Sequence, residues 1–356
     1  MKNRISYFFQ LMVSFLKKLN LWLIFFTLIA YTAPFVSPQT LSFVLFVGLA
    51  YPWLLLANVI FIFLWAASRM KYWWYSTVCV LLGWSYLSSI VGFNFFTKTP
   101  TGQVIKVMTY NIGGANMNAE RLLKFNDFLT AENCDIICVQ EFSSPNNVVY
   151  QMQRLMALSK YPYNAKSTNN STLIVSKYPI IKKESLNFDN PNGSNGCSYA
   201  DIQINDKIIR VYTVHLRSNV VSGLADDLAE HADYEKRATW SKMITMLRRV
   251  RIMAQYRAKE SEKIAAHIAL SPYPVVVCGD FNDIPVSYSY STLSQNLKDT
   301  YKKRGFGIGV TYNGNIPALK IDHILTDKKI TVFSSKIIKV KYSDHFPMVS
   351  EIGLNY

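Results

Sequence analysis

Negative charge is missing from the start of this chain: the first hundred residues hold no Asp or Glu, and the first acid is Glu120. That absence excludes an ordinary water-soluble surface for the stretch, which would carry both signs. Cysteine is scarce as well. The five in the chain have neither the paired spacing of a zinc site nor that of a disulfide framework. Cys134 and Cys138 lie in a segment that reads as extended, so about 13 Å separates them, too far to bridge. No internal repeat and no low-complexity tract is present, and the cysteines read as packing residues.

What fills the acid-free region is apolar. Residues 19–36, 41–67 and 73–96 form three long stretches, each near the ~20 residues that cross a bilayer. Lys2, Arg4, Lys17 and Lys18 precede the first stretch, the gap at 37–40 is uncharged, and Arg69 and Lys71 occupy the next gap. By the positive-inside rule the N-terminus and the second gap are cytoplasmic, so the third helix exits outward. The expectation is a multi-pass protein of a bacterial inner or plasma membrane, with the globular remainder outside the cytoplasm. Two alternatives exist. Ala30-Tyr31-Thr32-Ala33 loosely resembles a signal-peptidase site, and Pro52 near the middle of the second stretch would kink it or make it re-entrant.

Residues 97–102 form a short linker of about 20 Å when extended, keeping residues 103–356 close to the membrane surface. Beyond residue 100 there are 31 cations and 23 acids, a balance of +8. That suits an anionic substrate or an anionic membrane surface without selecting either. Strands are predicted at 104–110, 135–140, 171–176, 198–204, 208–215, 274–278, 321–325 and 330–340, and helices at 119–130 and about 224–270. The long helical region carries the knot Arg248-Arg249-Val250-Arg251 with Lys236, Arg237, Lys242, Arg257, Lys259 and Lys263. Most of these charges read as a solvated face, with anionic lipid or a polyanion as the alternative partner.

The informative residues sit where apolar runs end. Gly279-Asp280-Phe281-Asn282-Asp283 follows Pro274-Val275-Val276-Val277-Cys278, and Ile321-Asp322-His323 and Ser343-Asp344-His345-Phe346-Pro347 follow later. Upstream, Asn111, Gln140-Glu141-Phe142 and His215-Leu216-Arg217-Ser218 close further strands. Carboxylates at the ends of buried strands cost free energy unless a metal, a histidine or a reacting group satisfies them. Their recurrence implies one site assembled from several strand ends. Hydrolysis of a phosphate ester with a hard divalent cation fits best. Taken singly, each motif reads equally as a turn or a polar loop, as Asn282-Asp283-Ile284-Pro285 does. His323 would point to the face opposite Asp322, and His231 and His267 read as surface residues.

Six motifs in this order resemble the endonuclease/exonuclease/phosphatase superfamily over essentially all of 103–356. The resemblance implies an α/β fold, a four-layer sandwich of two packed β-sheets flanked by helices; the three expected transmembrane helices precede it and lie outside the resemblance. It also implies roles. Glu141 resembles the metal-holding carboxylate, with Asn111 and Asp344 beside the metal, normally Mg2+ with Mn2+ or Ca2+ as substitutes. Asp280 resembles the acid that orients or deprotonates the attacking water. Asn111, Asn282 and His215 resemble phosphate-binding groups, and His215 also the histidine that assists the leaving group. His345 resembles the essential histidine, with Asp322 as the acid that orients it. Elementary chemistry agrees: Mg2+ prefers oxygen ligands and keeps several waters, so one or two carboxylates suffice. An Asp–His pair raises the imidazole pKa and fixes its tautomer. The sequence offers no acid to orient His215.

The expected function is a membrane-anchored, extracytoplasmic, Mg2+-dependent phosphoesterase working by in-line attack of water. The short tether favours phospholipid headgroups. An extracytoplasmic nuclease is the enzymatic alternative, and a catalytically silent membrane-tethered binding domain the non-enzymatic one. The expected partners are thus a phosphate ester and a lipid bilayer, with no obligate protein partner. Segments 187–190 and 312–314 are expected at the rim that selects the substrate.

Overall fold

The computed structural model describes residues 2–96, 99–100, 102–113, 119–141, 161–167, 171–186, 188, 195–219, 237–314 and 319–354. The chain divides into two compact units, Met1–Ser88 with Val286–Tyr288, and Ser89–Pro285 with Ser289–Tyr356.

The N-terminal unit is helical. Its first helix, Lys2–Ala30, is 29 residues long and contributes the one helix among the described residues that is long and apolar enough to cross a membrane. The second apolar stretch breaks into Ser42–Leu49 and Tyr51–Ala67, bent by 53°. Pro52 explains the break: it lacks an N–H and suits the first turn of a new helix rather than the interior of an old one. The third stretch stops at Gly83, separating Trp73–Leu82 from Trp84–Ile90, and then turns into a strand. The expectation of three spans is therefore corrected to one long apolar helix, or two spans if the bent pair counts as one. The helices share buried polar contacts suited to an apolar bundle: Asn20 Nδ2 donates to Ser76 Oγ at 2.7 Å, Trp65 Nε1 to Asn20 Oδ1 at 3.1 Å, and Asn58 Nδ2 to Thr27 Oγ1 at 2.9 Å.

Among the described residues, the second unit is built on fourteen strands: β1 (Val91–Phe93), β2 (Val104–Asn111), β3 (Ile136–Gln140), β4 (Tyr163–Lys166), β5 (Thr172–Ser176), β6 (Ile180–Leu186), β7 (Gly196–Ile204), β8 (Lys207–His215), β9 (Val275–Asp280), β10 (Leu297–Asp299), β11 (Phe306–Ile308), β12 (Asp322–Asp327), β13 (Thr331–Ile337) and β14 (Met348–Gly353). They make two six-stranded sheets, ordered β10-β12-β9-β8-β7-β6 and β13-β14-β2-β3-β5-β4, and a small ribbon of β1 with β11. Both large sheets are mixed: β2 runs parallel to β3 and β8 to β9, and the other pairs are antiparallel.

Alternation of side chains along the strands explains the layering. Ile105, Val107, Ile136 and Cys138 from one sheet meet Val211, Val276, Cys278 and Ile324 from the other in a dry central core. The opposite faces are covered by helices. Phe125 and Leu129 of the helix Ala119–Glu132 pack on Met108, Tyr110 and Val139. Ile264 of the helix Arg237–Ala269 packs on Tyr212, Val214 and Val277. The result is two packed mixed sheets flanked by helices. The long helix is described from Arg237; the expected start near residue 224 lies outside the described residues. All five cysteines are buried and unbridged.

Candidate active site

Asn111, Glu141, His215, Asp280, Asn282 and Asp322 sit at or within two residues of a strand end, Asp344 and His345 lie in the segment leading into β14, and the two sheets bring these groups together. Asn111 closes β2 and Glu141 follows β3, its parallel neighbour. His215 closes β8 and stands in register with Asp280, the last residue of β9. Asp322 opens β12, antiparallel to β9 and paired with Asp280. His345 precedes β14 and bridges to Tyr312.

Asp280 is the hub, buried to 1 % exposure. Its Oδ2 accepts from Asn111 Nδ2 at 2.9 Å and Asn282 Nδ2 at 3.1 Å, and its Oδ1 from the Asn282 backbone N–H at 2.7 Å. His345 Nε2 lies 3.7 Å and His215 Nε2 3.8 Å from the same Oδ2. Burial lifts the Asp280 carboxyl above the ordinary range and the Asp322 charge adds to this, while His345, His215 and the Asn282 N–H oppose it.

His345 and Asp322 form a dyad, with Nδ1 and Oδ2 2.9 Å apart. Burial disfavours the imidazolium, but the charges of Asp322 and Asp280 outweigh it and push the ring up to about 10. The ring also lies 5.1 Å from that of Tyr312, and the Asn313 N–H donates to the Asp344 carbonyl, so the expected rim segment 312–314 does border the site. Of the segment 187–190, only residue 188 belongs to the described residues.

Glu141 has more solvent access, about a third of its side chain. Its Oε1 is 3.2 Å from Asn111 Nδ2 and 3.5 Å from His215 Nε2. The backbone of Glu141 has φ +54° and that of Asn282 φ +50°, a left-handed region costly for a non-glycine residue and common where a side chain is aimed for function. Gly279, just before Asp280, has φ +151°, and a Cβ there would lie 1.9 Å from the Val214 carbonyl oxygen. Only glycine lets β9 approach β8 closely enough to set Asp280 beside His215.

Two arrangements compete for a cation. Ligand atoms of Asp280, Asp322 and His345 lie within 4.8 Å of one another. His345 Nδ1, however, is engaged with Asp322, and a hard cation favours oxygen ligands. Glu141, partly exposed at the cleft with the Asn111 amide beside it, fits such a cation better. Asn111 turns its Nδ2 toward Glu141 and its Oδ1 accepts from the Gly113 N–H. Asp344 is less well placed: it is exposed, accepts from Ser343 Oγ and stands over Gly113, and it makes no hydrogen bond to Glu141 or Asn111.

The sequence reading missed a buried clamp behind the site. Arg257, grouped there with the solvated charges, is 0 % exposed. Its guanidinium reaches Asp283 Oδ2 at 3.3 Å, the Arg217 carbonyl at 3.0 Å and Asn219 Oδ1 at 2.8 Å. One helical turn on, Glu260 accepts from the Arg217 N–H at 3.0 Å and from Asn195 Nδ2 at 2.6 Å. The long helix thereby ties the loop after His215 to the loop after Asp280, which Asn282 Nδ2 also joins at the Leu216 carbonyl. Burial raises the Glu260 carboxyl, and His215 is among the charges that draw it back. Glu141 and Asp280 lie within ion-pair distance of His215 Nε2. His323 does point away from Asp322, into a buried cluster with Lys320 and Asp299.

Comparisons with known proteins agree with this architecture. The model of the Endonuclease/Exonuclease/phosphatase family matches residues 108–345, and that of a domain of unknown function (DUF8431) matches residues 12–90. No curated protein matches the chain by sequence. Among solved structures, humanized D. rerio TDP2 superposes with a TM-score of 0.52 at 16% identity, covering 70% of this chain and 99% of that one. A family protein from Bacteroides thetaiotaomicron gives 0.52 at 16% identity, covering 71% and 98%. D. rerio TDP2 complexed with single strand DNA product gives 0.52 at 15% identity, covering 71% and 100%. These likenesses establish the shared fold, and the family match covers most of the catalytic unit. The chain belongs to the endonuclease/exonuclease/phosphatase family, an enzyme of the phosphoric ester hydrolase class.

Proposed function

We propose that the chain is a metal-assisted phosphoesterase held at a membrane, with its catalytic unit on the extracytoplasmic side and phospholipid headgroup esters as substrates. The observation that carries the hydrolytic reading is the meeting of Asn111, Glu141, His215, Asp280 and His345 within about hydrogen-bond to ion-pair distance, from strands of both sheets. Membrane attachment is supported by the apolar helix Lys2–Ala30 and the apolar helices after it. The side is supported by the basic residues at the N-terminus and at 69–71.

A hard divalent cation such as Mg2+, held by Glu141 with the Asn111 side chain alongside, supplies charge neutralisation at the phosphoryl oxygens. The protein's own groups do the rest. Asp280, fixed by three donors, orients a water for in-line attack and takes its proton; a carboxyl raised by burial is a better base near neutral pH. Asp322 holds His345 by Nδ1, leaving the protonated Nε2 to donate to a phosphoryl oxygen. His215, between Glu141 and Asp280, stands where a leaving oxygen would be protonated. Asn282 contributes less directly than the family pattern implies, since its amide donates to Asp280 and Leu216 and so fixes the base.

Hydrolysis of nucleic acid outside the cell is the second reading. It draws on the helix Arg237–Ala269, whose residues up to 259 include six cations besides the buried Arg257 and no acid. Full-length protein assayed on phospholipid vesicles and on plasmid DNA, with and without Mg2+, separates the two. Lipid cleavage with little salt dependence supports the headgroup reading. DNA cleavage that falls steeply with salt supports the other.

A further inference from the structure

The small ribbon of β1 and β11 has two unlike faces. Its register pairs Val91 with Ile308, Gly92 with Gly307 and Phe93 with Phe306, so apolar residues share one face and glycines the other. On the glycine face a Cβ on Gly92 would lie 2.3 Å from the Gly305 backbone, whereas one on Gly307 would meet nothing within 4 Å. The apolar face is turned outward. Phe306 is 65% exposed and Ile308 64%, and Phe95 and Phe96, just after β1, are 72% and 86% exposed. Phe95 and Phe306 rings meet edge to face at 5.3 Å, so residues from two distant parts of the sequence form one patch.

A contiguous exposed cluster of this kind marks a docking surface. Two observations name its occupant. The strand β1 begins directly after the helix Trp84–Ile90 and lies inside the apolar stretch 73–96, so the patch continues the sequence that follows the apolar helix Trp73–Leu82. Lys302, Lys303 and Arg304 precede β11 with only Gly305 between, and Lys303 and Arg304 line an open cavity of about 360 Å³ with Lys298, Thr331 and Val332. Aromatic and aliphatic residues flanked by cations match the boundary between acyl chains and anionic headgroups.

We propose that this face of the β1–β11 ribbon seats in the interfacial layer of an anionic phospholipid bilayer and holds the active site beside the headgroups. The inference rests on the reading that the chain is membrane-held, and it deepens the substrate assignment. Tyr312, whose ring packs on His345, lies only four positions after Ile308. At most about 14 Å of chain therefore links the bilayer contact to the site. A substrate anchored in the same leaflet is presented to the site, whereas a soluble ester gains nothing from the patch.

The test uses full-length protein in nanodiscs of phosphatidylcholine mixed with phosphatidylglycerol, carrying a nitroxide on I308C or, separately, on L270C. The five native cysteines are buried, and Leu270, 82% exposed at the end of the long helix, is the reference position. The label at 308 is expected to favour collisions with lipid-soluble oxygen over a water-soluble nickel chelate, and the label at 270 the reverse. Nanodisc-incorporated protein in which both labels are equally open to the chelate overturns the proposal while leaving membrane insertion intact. Protein that never enters the nanodiscs overturns the membrane reading and the proposal together. Neither outcome depends on activity. As a second measurement, the double variant Phe306→Asp/Ile308→Asp is expected to lose about 10-fold in turnover of a vesicle-borne phosphodiester and to keep turnover of a soluble one within about twofold. Equal losses on both substrates count against the docking role.

Discussion

His345 carries the most exposed consequence at the scale of single residues. Its Nδ1 is held by Asp322 and its Nε2 faces Asp280. His345→Ala is expected to lower turnover at least about 100-fold with an unchanged circular-dichroism spectrum; unimpaired hydrolysis by a folded variant contradicts the assignment. Glu141 should act through the cation instead. Glu141→Gln is expected to raise the Mg2+ concentration for half-maximal rate about 10-fold or more while saturating Mg2+ restores part of the activity. A Mg2+ titration identical to that of the wild type would move the metal to the Asp280–Asp322–His345 group. These residues were legible in the sequence because each polar group interrupts or ends an apolar strand run. Their backbone was not. Nothing in the letters at Glu141 announces a left-handed φ, since the usual signal for that conformation is glycine.

Among the elements, the long helix does more than cover a sheet. Arg257 and Glu260, one turn apart, fasten the loops that follow His215 and Asp280. Arg257→Met leaves Asp283 without its partner in a dry setting, and loss of one member of a buried ion pair costs about 3–5 kcal/mol. A lower Tm with turnover reduced even in the folded fraction is expected; an unchanged Tm argues that the clamp is dispensable. Gly279→Ala should be as damaging, because its Cβ meets the Val214 backbone of the neighbouring strand. The sequence hid this clamp because an arginine in a basic helix looks solvated until the packing partner is known. It hid β6 for the opposite reason: Lys182, Lys183 and Glu184 make an exposed edge strand without an apolar alternation. The third apolar stretch misled by composition, as Gly83 and the switch into β1 divide a run of suitable length.

For the molecule as a whole, stability should depend on pH through a cluster outside the active site. Asp299, Lys320, His323 and Tyr290 are packed together in the core. Burial, with the Lys320 charge adding to it, pushes His323 down to about 4, and Lys320 Nζ donates to its Nδ1, which requires the neutral ring. Between pH 6.5 and about 4 the unfolded chain therefore binds a proton that the native chain refuses, and stability falls as the pH drops through that window. The loss is on the order of 1–3 kcal/mol. Thermal unfolding in detergent should show Tm declining from pH 6.5 to 4 in the wild type and declining less in His323→Phe. Parallel pH curves for the two proteins would remove His323 as the cause. The same scale joins catalysis to location, since the ribbon that faces outward lies four residues from the ring that backs His345.

Whether the strand ends form one metal-assisted hydrolytic site is tested most directly by non-additivity. Initial rates of phosphodiester hydrolysis by the full-length protein are measured in Mg2+, after EDTA, and in Asp280→Ala, His345→Ala and the double variant. One site predicts a rate abolished by EDTA and restored by Mg2+, with the double variant no slower than the worse single one. A rate indifferent to EDTA, or losses that multiply in the double variant, contradicts it.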